Sequence, residues 1–175
     1  MQRKIVTLAA ACALALQAGI ANAEVKTFAK VGGWSAFGGT TDSDRMMCGV
    51  STSGDGRWFG VKYFQNNNYL TVQLSKKSWE VKDGTKIDLK MQFDRETPWS
   101  VKATAFHMSD GDAALEFQIA YKEIAQWLTE FQRSNFLYIR FPDSKVDDWK
   151  AGLAGTTQIS SRFDDCLTAL KKATR

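Results

Sequence analysis

Histidine is almost missing from this chain: His107 stands alone among 175 residues, with two prolines and three cysteines. One imidazole excludes a metal centre built on several histidines and forces any histidine-based hydrolysis onto His107. The shortage of proline, with 13 glycines, excludes collagen-like and proline-rich chains. There is no glycine-rich phosphate loop, no His-Glu-x-x-His and no Cys-x-x-Cys, so phosphoryl transfer, zinc hydrolysis and thiol exchange lose their simplest support. No basic stripe is present either. Charges of both signs are interspersed, as in Lys82-Asp83 and Lys145-Val146-Asp147-Asp148, which argues against nucleic acid as a partner. No cofactor and no metal are expected.

What is present is globular. Apolar residues make up 44% of the chain and 23 basic side chains face 19 acidic ones, enough to build a core. Met1 to Ala23 has a basic head, an apolar run from Ile5 to Ile20 and a small-residue end, Ala21-Asn22-Ala23. That is the pattern of a secretory signal peptide, cut after Ala23. Residues 24–175 are then expected as one domain, periplasmic or secreted, with no membrane span. The leader takes Arg3 and Lys4 and no acid with it, so the remainder carries 21 basic and 19 acidic residues.

With Cys12 lost in the leader, Cys48 and Cys166 remain in a chain bound for an oxidising compartment, and they are predicted to pair. A thiol nucleophile working with His107 would need Cys166 or Cys48 to stay reduced there.

From Glu24 to about Phe141, short alternating runs are separated by Gly, Asn and Asp clusters, the pattern of antiparallel strands. Val25 to Val31 reads as a first strand and Arg45 to Ser51 as a second, carrying Cys48. Ser53-Gly54-Asp55-Gly56 and Asn66-Asn67-Asn68 supply hairpin turns. Leu70, Val72 and Leu74, then Ile87, Leu89, Met91 and Phe93, form inward stripes. Between Tyr121 and Ser134 the period changes, with Ile124, Trp127, Leu128 and Phe131 at helical spacing. Ile159, Phe163, Cys166 and Leu170 share a face of a terminal helix that Thr156 or Thr157 would cap. The expected fold is mainly β: an antiparallel sandwich or barrel-like sheet, with a short internal helix and a C-terminal helix tied by the disulfide.

Residues able to carry chemistry are few. His107 lies at a strand end, where a surface histidine is the ordinary reading. Asp94 with Glu96, or Asp147 with Asp148, supply carboxylate pairs whose separation decides whether they hydrolyse a glycoside. Asp110, Asp112 and Glu116, or Asp42 and Asp44, offer oxygens for calcium without matching a calcium loop. Of six tryptophans, Trp58 and Trp99 each follow a turn. With Arg57 and Tyr63 they form the candidate binding surface, since half-wet aromatics beside arginine anchor protein partners.

Val31-Gly32-Gly33-Trp34 near the mature start, a cysteine strand a dozen residues on, successive hairpins and Leu153-Ala154-Gly155-Thr156 before a cysteine-bearing helix together resemble the invasion-associated locus B family of exported bacterial proteins. The resemblance implies a β-sandwich accessory of the envelope linked to host interaction, and it carries over no functional residue. The expected function is non-enzymatic binding of a protein or envelope component through strand edges, turn tips and exposed aromatics. Two alternatives stand beside it: a hydrolase of envelope sugar or ester using loop carboxylates or His107, and an inhibitor of lysozyme.

Overall fold

The computed structural model describes residues 24–142 and 147–172, so the leader read over residues 1–23 lies outside them. In chain order the elements are β1 (Glu24–Val31), β2 (Trp34–Thr40), β3 (Met46–Gly54), β4 (Arg57–Phe64), β5 (Tyr69–Lys76), β6 (Lys86–Phe93), β7 (Trp99–His107), β8 (Ala113–Ala120), α1 (Tyr121–Arg133), β9 (Phe136–Arg140), β10 (Trp149–Gly152) and α2 (Thr156–Lys172). The strands join in one antiparallel sheet of order β1-β2-β3-β4-β5-β8-β7-β6-β9-β10. The mainly β class expected from alternation is therefore present, with both helices where their periods put them.

Alternation sorts the two faces. Val50, Val61, Val72 and Phe117 are successive cross-strand partners and all are buried on the core side. On the opposite face a row of small and polar residues crosses the sheet: Ser35, Ser51, Gly60, Gln73, Glu116, Thr104 and Lys86. The sheet curls around its apolar face. Trp34 of β2 donates its indole N–H to the Gly152 carbonyl of β10 at 3.1 Å, and the Arg57 guanidinium of β4 lies 5.6 Å from a Trp149 ring centre in β10. Strands distant in sheet order thus meet across the core, which is how an open sheet hides one face.

The helices close that core. In α1, Trp127 and Phe131 stack at 5.1 Å between ring centres, and Phe131 meets Trp34 edge-on at 4.9 Å. Ile159, Phe163 and Leu170 of α2 are buried, and Cys166 is bonded to Cys48 with the two Cα atoms 6.0 Å apart. The cysteine strand is the third, not the second, because β2 intervenes. The hydroxyls of Thr156 and Thr157 donate to the carbonyls of Leu153 and Gln132, at 2.8 and 2.9 Å, rather than serving as the expected cap. They stitch the start of α2 to the preceding turn and to α1. No helix among the described residues is long and apolar enough to cross a membrane.

Candidate functional site

The hairpin joining β3 to β4 turns on Asp55 and Gly56, with φ of 51° and 67°. Two successive positive φ angles make the tight turn whose twist suits a hairpin, so Gly54 pairs with Arg57 across it. Because strand residues alternate, Arg57 at the start of β4 points to the core side and Trp58 to the outer side. The two therefore straddle the hairpin end, and both line a cleft of about 200 Å³ whose far wall is β9 and β10, with Leu137, Ile139 and Trp149.

Two residues that line the cleft carry a buried donor without an acceptor among the described residues. Nε of Arg57 and Nε1 of Trp149 are both buried, and neither has a hydrogen-bond partner among the described residues. The neighbouring cation is different: Lys76, paired with Arg57 across β4 and β5, reaches Asp147 at 3.5 Å. Trp149 is fixed from behind by Trp79, stacked at 5.2 Å, and Phe141, edge-on at 6.3 Å. Arg57 thus lies against the rim of a rigid aromatic cluster.

Trp58 is half-buried on the outer face. Its ring lies over Gly60, where a side chain would collide with it, and the Lys62 ammonium is 5.3 Å from the ring centre. Lys62 also donates to Gln73 Oε1 at 2.5 Å, and Gln73 Nε2 donates to Glu116 Oε2 at 2.6 Å. Burial lowers the Lys62 pKa below its ordinary value, and the opposing pull of Glu116 is the smaller effect. This relay satisfies the polar row of the outer face instead of opening it to a ligand.

The other sequence candidates lie elsewhere. Tyr63 is on the core side of β4, six residues or about 20 Å beyond Arg57, paired with Cys48 and packed on the core. Trp99, at the start of β7, donates its indole N–H to Glu130 Oε2 of α1 at 2.7 Å. Glu130 in turn lines a wider, open groove of about 880 Å³ between α1 and the β6–β7 turn. Of the four candidate surface residues, the fold brings Arg57 and Trp58 together and keeps Tyr63 and Trp99 apart from them. Trp149, the opposite wall of the cleft, gave no local signal, since its strand is four residues long and its partner is remote.

The carboxylates are held by structure. Asp94 accepts the Asn135 N–H at 2.8 Å and the Phe136 N–H at 2.9 Å, and these bonds, Asn135 first, hold its carboxyl below the ordinary range. Asp148 accepts the Phe141 N–H at 3.3 Å, and Asp110 that of Asp112 at 3.1 Å. His107 meets Asp83 at 2.5 Å, both side chains about half exposed or more.

No family model matches the chain, and no curated protein matches it. Among solved structures, the crystal structure of invasion associated protein B from Bartonella henselae is similar over 83% of this chain and 96% of that one, with 10% identity and a TM-score of 0.47.

Proposed function

We propose that the chain is a non-catalytic accessory protein of the bacterial envelope, exported to the periplasm or beyond, which binds a protein or another envelope component at the Arg57–Trp58 cleft. The observation that carries this reading is a cleft lined by Arg57 and Trp149, whose Nε and Nε1 atoms are buried with no acceptor among the described residues. Hiding such a group unpaired costs about 1–3 kcal/mol, and a ligand acceptor that reached it would recover that cost. Export is supported by the Met1–Ala23 pattern and by a disulfide suited to an oxidising compartment. The reading as a binder is further supported by Asp94, Asp110 and Asp148, whose carboxylates already accept backbone amides.

The test is a ligand screen followed through the Arg57 Nε–H and Trp149 indole N–H resonances, using peptide pools and soluble peptidoglycan fragments as probes. Binders should move those two signals, and Arg57→Gln should abolish the response while the Cys48–Cys166 bond stays intact. A turnover on envelope sugar or ester substrates that His107→Ala removes would overturn the non-catalytic reading.

A further inference from the structure

We infer that the cleft captures the C-terminus of an extended peptide, with the terminal carboxylate on Arg57 and an apolar last side chain between the β3–β4 hairpin and β10. This rests on the binding reading above and names its ligand class.

Charge gives the first argument. Among the described residues, Arg57 and Lys150 line the cleft with one acid, Asp55, and the Lys150 ammonium lies 3.8 Å from the Phe136 ring centre. Lys76, next to Arg57, already has Asp147. One positive charge is left over, on a guanidinium whose planar donor fork suits a carboxylate.

The sheet edge gives the second. β10 ends the sheet, so one side of it has no strand partner among the described residues. The Leu153 N–H donates to Asn135 O at 2.8 Å, which fixes the phase: Trp149 and Ala151 direct their backbone groups to β9, and Lys150 and Gly152 direct theirs outward. The Gly152 carbonyl is taken by Trp34. Lys150 is therefore the residue that can pair with an incoming strand, and the Trp34 bond stops that strand from running on past Gly152. A chain end fits this geometry where a continuous strand does not.

Size gives the third. A cavity of about 200 Å³ is below the roughly 300–1,000 Å³ of small-molecule sites, so it takes the last side chain of a peptide rather than a whole ring ligand. Sugar stacking on Trp58 is opposed by Gly60 and Lys62, which already occupy its ring.

The experiment titrates the oxidised protein with pentapeptides ending in each apolar residue, as free acids and as C-terminal amides, by calorimetry and by the Arg57 Nε–H and Lys150 amide shifts. At least one free acid should bind and move both signals, with amidation weakening it tenfold or more. Arg57→Gln should cost the acid a similar factor and the amide little, and Arg57→Lys should retain part of the binding. Equal binding of acid and amide, or equal binding of an amidated peptide with an internal aspartate, overturns the inference. So does failure of every free acid. If peptidoglycan fragments or other peptides still move Arg57 and Trp149, the cleft remains the binding site and only its ligand class is wrong; if nothing moves them, both readings fall.

Discussion

Asp94 holds a strand end to a helix exit with a single side chain. Its backbone turns through a φ of 42°, its N–H donates to Phe136 O at 3.0 Å, and its carboxylate accepts Asn135 and Phe136 amides, so the start of β9 is pinned beside the end of β6. Asp94→Ala should lower stability by about 1 kcal/mol, because the amides it frees are open to water, read from the urea midpoint at neutral pH. The pH dependence follows from the depressed pKa: the folded value lies below the ordinary 3.8, so the stabilisation is present above that value and is lost as pH falls through the folded one. The wild-type and Asp94→Ala midpoints should therefore converge at strongly acid pH. In sequence Asp94 reads as half of a carboxylate pair with Glu96, because the amides that claim it are 41 and 42 positions away. Arg57 and Trp58 could be singled out because an adjacent turn marks them locally; Trp149, Leu137 and Ile139 could not, since only the curl of the sheet brings them opposite.

At the scale of elements, legibility follows periodicity. β5, β6 and the two helices carry regular stripes, and their positions are read from the residues directly. β2 does not: Trp-Ser-Ala-Phe-Gly-Gly-Thr has glycines where a strand reader expects side chains, and it passes for a loop. The structure gives those glycines a reason. A Cβ on Gly38 would lie 3.0 Å from Cys166 Sγ and equally close to Met47 O, so β2 must stay bare there for α2 to dock. Gly38→Val should leave a measurable fraction of molecules with two alkylatable thiols, which intact-mass analysis without reductant would count. α1 is fastened by its aromatic pair instead. Removing the Phe131 ring, which touches Trp34, Phe93 and Trp127, should cost about 3–5 kcal/mol, checked by the thermal midpoint.

Across the whole molecule, one covalent bond links the terminal helix to the sheet over a separation of 118 residues. Cutting it with Cys48→Ser and Cys166→Ser should remove about 4–5 kcal/mol by the chain-entropy argument, a large share of a domain's net stability, and equilibrium unfolding of the double variant measures it. The two ends of the sheet are unlike. β1 breaks register between Thr27 and Ala29, leaving Phe28 half exposed, and such a bulge spoils an edge as a template for another chain. β10 has no such interruption in its pairing with β9.

The long span of the sulfur bridge also dictates timing. Cys48 emerges from the ribosome, or from any pore the chain is threaded through, long before its mate, and the seven strands from β4 to β10 must follow it out before the clasp can shut. An unpaired thiol is thus exposed to wrong partners until the last helix is in place, and an isomerase able to hold or correct it would have its substrate in the incomplete chain, not in the finished protein.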